Sequence, residues 1–158
     1  MESISFAEGM TTNVPGPNKR VFAYLVDFVA FGWAFNLLAM FFPQLWGFGL
    51  LFGSVYVLLR DVGGASLGRR LTSLTILDGA GRPAGAASLI LRNLPFEIPL
   101  VIVAEYFVMR TSGDGRRWGD RWANTRVHDR RPDVSDGRFL WYSIGLFVVA
   151  VLVPALAN

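Results

Sequence analysis

Four apolar runs constrain this chain more than any other feature: Val21–Phe42, Leu45–Leu59, Leu94–Met109 and Phe139–Leu156. A helix rising 1.5 Å per residue needs about 20 apolar residues to cross a hydrocarbon core of about 30 Å. The first run has that length. The fourth, FLWYSIGLFVVAVLVPAL, is uncharged and nearly reaches it. The second is shorter, but Pro43 suits a first helical turn and extends it. Only Pro43 and Gln44 separate the first two runs, which predicts a tight helical hairpin. The third run, LPFEIPLVIVAEYFVM, carries Pro95, Glu97, Pro99 and Glu105. The two prolines would break a helix, with Glu97 at the bend. Composition agrees with a membrane chain: 17% of residues are charged, against about a quarter in soluble domains.

Other classes fall away. MESISFAEGM has neither a basic start nor an apolar centre, so it does not read as a cleavable signal and the first run is expected to persist. The chain has no Cys and one His, His128. That removes disulfides, thiolate ligands, cysteine nucleophiles and multi-histidine metal sites. No metal, cofactor or enzymatic activity is expected. GGASLGRR (63–70) has the outer glycine spacing of a phosphate loop, but Arg69 and Arg70 stand where Lys and Ser/Thr are required. No internal repeat is evident.

The arginines set the orientation, since basic residues collect in cytoplasmic loops. Lys19 and Arg20 precede the first run. Residues 60–92 carry Arg60, Arg69, Arg70, Arg82 and Arg92, and residues 110–138 carry eight more arginines. If 94–109 dips in and returns, every basic segment shares one side with the N-terminus, and the C-terminus lies outside. The expectation is therefore an all-α membrane protein, a single domain over 1–158. It has three transmembrane helices plus a broken or interfacial helical hairpin, with four spans as the alternative. A small cytoplasmic β element is expected from TILDGAGRPA and NTRVH, which read as strand pieces. Leu67, Leu71 and Leu74 recur at i, i+4 and i+7 with Arg69 and Arg70 off that face, predicting a short surface amphipathic helix. Nucleic acid is not an expected partner, because topology accounts for the basic residues.

Asp27 stands inside the first run. A charge at the centre of a lipid-facing helix costs about 2.5–3.5 kcal/mol, so it must face protein or water. Arg20 lies seven residues earlier, about 10.5 Å along the helix on nearly the same face. Direct pairing is out of easy reach, and either a structural contact or a polar path would account for Asp27.

These residues resemble the RDD family of small bacterial membrane proteins, named for an arginine and two aspartates. R-x-x-A-x-x-x-D is met by Arg20, Ala23 and Asp27. SLGRRL, LTILDGAGRP, Arg92-Asn93 and GDRWANTRV follow in order, the last giving Asp120 as the second aspartate. The motifs cover 20–127, and the C-terminal helix at 139–156 lies beyond them. The resemblance implies a multi-pass protein of the bacterial inner membrane with a transport-related role, sodium/proton exchange having been proposed for some members. Arg20, Asp27 and Asp120 are expected in one polar cluster. Asp27, Glu97 and Glu105 are the carboxylates available to an ion or proton path, and Asp61 is expected at a helix end near water. The alternative function is that of an accessory or scaffold protein. It would bind anionic lipid or a partner through its basic face, with headgroup contacts from Arg69, Arg70, Arg92, Arg116 and Arg117. Three spans form a poor pathway in one chain, so a homo-oligomer or a partner membrane protein is expected.

Overall fold

A computed structural model describes residues 13–97 and 99–156, without the side chains at 96–100, 102 and 153–156. The first run becomes α1 (Pro17–Phe41), opened by Pro17 at its first position. A carboxylate from elsewhere caps it. Asp136 Oδ1 accepts the Lys19 N–H at 2.8 Å, where the helix dipole favours negative charge. Pro43–Phe48 forms a 3₁₀ turn that leads into α2 (Gly49–Leu59). Phe31 of α1 stacks on Tyr56 of α2 with centroids 4.4 Å apart. The absence of a Cβ on Gly49 leaves room for the Phe35 ring. The third run is broken as its prolines demand. A 3₁₀ turn at Leu94–Glu97 precedes α5 (Pro99–Thr111). The fourth run is one helix, α7 (Asp136–Leu156), packed along α1 through Phe22, Phe139 and Tyr142. Among the described residues, α1 is the helix long and apolar enough to cross a membrane by length and composition.

Between these helices lie three short ones and two strands: α3 (Leu67–Leu71), β1 (Leu74–Asp78), α4 (Ala86–Leu91), α6 (Trp118–Trp122) and β2 (Thr125–Asp129). The strands pair antiparallel, with Leu74 opposite Asp129, Ile76 opposite Val127 and Asp78 opposite Thr125. Asp78 closes the turn after β1 by accepting the backbone N–H of Ala80 and Arg82.

The helix predicted at Leu67 is present, but its polarity is reversed. Leu67 and Leu71 are exposed, Arg69 is buried, and Leu74 belongs to β1 and to the core with Ala23 and Val127. The reason is a buried ion pair that holds Arg69 inward against Asp61.

The structure also contains a repetition that the sequence did not disclose. Residues 66–78 and 117–129 are the same unit, 51 positions apart. Each is a five-residue helix, one residue at positive φ (Ser73 at 58°, Asn124 at 47°) and a five-residue strand. The turn bonds match: Thr72 N–H to Gly68 O at 3.0 Å and Ala123 N–H to Gly119 O at 3.1 Å. So do Ser73 N–H to Arg70 O and Asn124 N–H to Arg121 O, both at 3.2 Å. Ile76 and Val127, equivalent in the two units, face each other at the centre of the ladder, so the sheet pairs each unit reciprocally with the other.

Candidate functional site

Each repeated unit is clamped by a carboxylate from a long helix. The Gly68 N–H donates to Asp27 Oδ1 at 2.7 Å, and the Gly119 N–H donates to Glu105 Oε1 at 3.0 Å. Both glycines sit against backbone. A Cβ on Gly68 would collide with the Ala23 carbonyl, and one on Gly119 with the Arg92 carbonyl. Asp27 thus fixes α3 to α1 across the only gap that a glycine leaves, and it is 1% exposed. This is how a carboxylate survives inside an apolar run: an N–H donor from a short helix meets it there.

Around these clamps lies a buried ion network. Asp120, fully buried, faces three guanidiniums. Arg92 Nη2 is 2.6 Å from Oδ1, Arg20 Nη1 is 3.2 Å from Oδ2, and Arg117 Nε is 3.4 Å from Oδ1. Asp61 is equally buried, paired with Arg69 and accepting from Asn93 Nδ2 at 2.9 Å. Arg117 also reaches Glu105 Oε2 at 3.5 Å and donates to Asn93 Oδ1 at 3.1 Å. Burial alone would raise the Asp120 carboxyl, but Arg92, Arg117 and Arg20 outweigh it and bring it down to about 2. Asp61 follows the same logic, pulled well below the carboxylate range by Arg69 against its own burial. Arg92 is lowered well below its ordinary value, chiefly by burial.

The structure therefore brings Arg20 and Asp120 together. Asp27 is bound to Gly68 on the same side of the network. Glu105 belongs to the cluster, while the Glu97 side chain lies outside the described residues. Asp61 is not near water as its position at a helix end suggested, because Arg69 and Asn93 enclose it. Of the arginines assigned to headgroups, Arg69, Arg92 and Arg117 are buried in the network rather than displayed on a face. Arg70 is exposed and donates to the Ala65 carbonyl, and half-buried Arg116 donates to the carbonyls of Asp120 and Thr125. The sequence reading missed Asn93, Arg60 and the roles of Asp61 and Glu105. The dipeptides Arg60-Asp61 and Arg92-Asn93, each closing a helix, were the available signal. A separate buried pair joins Lys19 Nζ to Asp129 at 2.7 Å and ties the start of α1 to the end of β2.

Beside the network is a chamber of about 420 Å³. Arg20, Arg60, Arg69, Arg92 and Arg117 line it, with Asp27 as its one lining carboxylate. Arg60 lies over the Tyr24 ring at 4.4 Å.

The arrangement of Arg20, Asp27 and Asp120 agrees with the profile of a known family. The RDD family matches residues 14–124, well over half of the chain. The chain belongs to the RDD family. No curated protein and no solved structure matches it. The first aspartate of this RDD protein caps a short helix, and the second neutralises the family arginine and two others.

Proposed function

We propose that this RDD protein is a membrane accessory protein that binds an anionic group in the arginine-lined chamber. The supporting observation is the imbalance of the site. Five guanidiniums line one chamber, while Asp27, Asp61, Glu105 and Asp120 are each already held by an N–H or a guanidinium. A cation exchanger needs a carboxylate that gives up a proton to take a cation. Carboxylates held by arginine stay ionised and compensated. In this reading α1, the α2 hairpin and α7 cross the bacterial inner membrane. The turn at Leu94–Glu97 and α5 form a broken re-entrant or interfacial segment, and both basic loops lie in the cytoplasm.

A second reading, cation/proton exchange, has one observation in its favour: Asp27 is a fully buried carboxylate on the most apolar helix. Reconstituted proteoliposomes separate the two. With a pH gradient imposed, the accessory reading expects sodium and potassium flux no greater than in protein-free vesicles. Flux that disappears in Asp27→Asn would overturn it. Topology has its own check. A cysteine at exposed Asp133 should resist an impermeant thiol reagent in intact cells and react after the membrane is opened.

A further inference from the structure

We infer that the chamber takes the phosphodiester headgroup of one anionic phospholipid, an inference that rests on the anion-binding reading and names its ligand. The first argument is charge. Arg20, Arg60, Arg69, Arg92 and Arg117 face Asp27, Asp61, Glu105 and Asp120 in one buried network, five cations to four anions. The remainder is a single positive charge, which a phosphodiester matches.

The second argument is unmet hydrogen bonding. Arg92 is 1% exposed and spends Nη2 on Asp120, yet its Nε and Nη1 have no hydrogen-bond partner. Arg20 Nε is likewise buried without one. Buried guanidinium donors are costly to leave unpaired, and phosphate oxygens are the acceptors that fit a guanidinium fork.

The third argument is the rest of the wall. Val21 and Leu25 of α1, Val103 of α5 and Leu140 of α7 line the same chamber. A small inorganic anion would leave this apolar wall uncovered. A headgroup with the start of its acyl chains covers it and satisfies the guanidiniums together. The size, about 420 Å³, lies in the range of ligand sites.

The test uses the full chain in a non-ionic detergent and calorimetric titration with three probes: dioctanoyl phosphatidylglycerol, dioctanoyl phosphatidylcholine and inorganic phosphate. Phosphatidylglycerol is expected to bind at least tenfold more tightly than either of the others. Arg92→Gln should weaken it at least tenfold. Because that variant also strips Asp120 of a partner, Val103→Trp provides a second arm. It fills the apolar wall, touches no charged group, and should weaken phosphatidylglycerol while leaving phosphate unchanged. Equal affinity for the two lipids, or full affinity in Val103→Trp, overturns the inference. Phosphate binding as tightly as phosphatidylglycerol overturns the lipid while leaving the anion-binding reading intact. Cation flux in proteoliposomes would remove that reading itself.

Discussion

The unit formed by α3 and β1 and the unit formed by α6 and β2 have one backbone and opposite charge. At the second position after the helix start, both have a glycine pressed against a carbonyl: Gly68 on Ala23, Gly119 on Arg92. One residue later, the first unit places Arg69 and the second places Asp120. Their partners are reversed to suit. Arg69 meets Asp61 after α2, and Asp120 meets Arg92 after α4. Backbone geometry thus sets where a buried charge is delivered, and the sign is free so long as the preceding helix end supplies the complement. Neutrality is not kept equally in the two units. Asp61 and Asn93 serve the first, while Asp120 alone answers Arg92, Arg20 and Arg117. The cationic surplus of the chamber originates in the second unit.

The largest expected effects come from removing the charge at each equivalent position. Asp120→Asn leaves Arg92 and Arg20 buried without their carboxylate and should cost about 3–5 kcal/mol. Arg69→Gln strands Asp61, which keeps only Asn93, and should cost nearly as much. Chemical or thermal unfolding in detergent measures both. If Asp120→Asn is the milder of the two, the second unit is not the hub. The pH dependence follows from the same residue. The folded Asp120 carboxyl lies at about 2, below its unfolded value of about 3.9. Its contribution is therefore complete above pH ~4 and is lost as pH falls through 2. Wild type should hold its midpoint temperature down to pH ~4 and lose it below, and Asp120→Asn should flatten that fall.

Next in size are the paired glycines. Gly68→Ala and Gly119→Ala each drive a methyl into a backbone carbonyl that a rotamer change cannot move. Each should cost about 3 kcal/mol. Tolerance of alanine at one position only would mean that the two units are not packed alike.

The clamping carboxylates come third. Asp27→Asn keeps an oxygen for the Gly68 N–H and loses the charge, so about 1 kcal/mol is expected. Glu105→Gln should lose slightly more, because its other oxygen faces Arg117 at 3.5 Å. A loss of several kcal/mol at Asp27 alone would show that it neutralises a cation besides capping α3.

The long elements were legible because their signals are long or covalent. The apolar length gave α1, Pro95 and Pro99 gave the break before α5, and Gly-rich turn chemistry gave β1 and β2. Arg20 with Asp120 was legible from motif order. Hidden from the sequence was which way Arg69 faces, since a helix of five residues has too few positions for periodicity to tell inside from outside. Leucines that would face a core in a soluble chain face outward here, beside arginines that a membrane chain can bury only in pairs. The repeat was hidden for another reason. Its two copies share Gly68 with Gly119, Arg70 with Arg121 and Asp78 with Asp129, but they differ in the sign of the residue that matters most. What they share is backbone geometry, which few residues specify.

The smallest expected effect tests that shared geometry most directly. Ser73 and Asn124 occupy the turn between helix and strand with φ of 58° and 47°. Asparagine tolerates this left-handed region better than serine, and glycine tolerates it without a Cβ penalty. Ser73→Gly should therefore stabilise the protein by a few tenths to about 1 kcal/mol, the relief of strain exceeding the added chain entropy of glycine in the unfolded state. Asn124→Gly should gain less or nothing, because asparagine already suits the position and its side chain packs beside Gly79. Ser73→Asn, which copies the second unit into the first, should fall between wild type and Ser73→Gly. The order is read from midpoint temperatures of the four proteins in one detergent. If Asn124→Gly gains more than Ser73→Gly, the two turns are strained differently and their equivalence ends at the hydrogen-bond pattern.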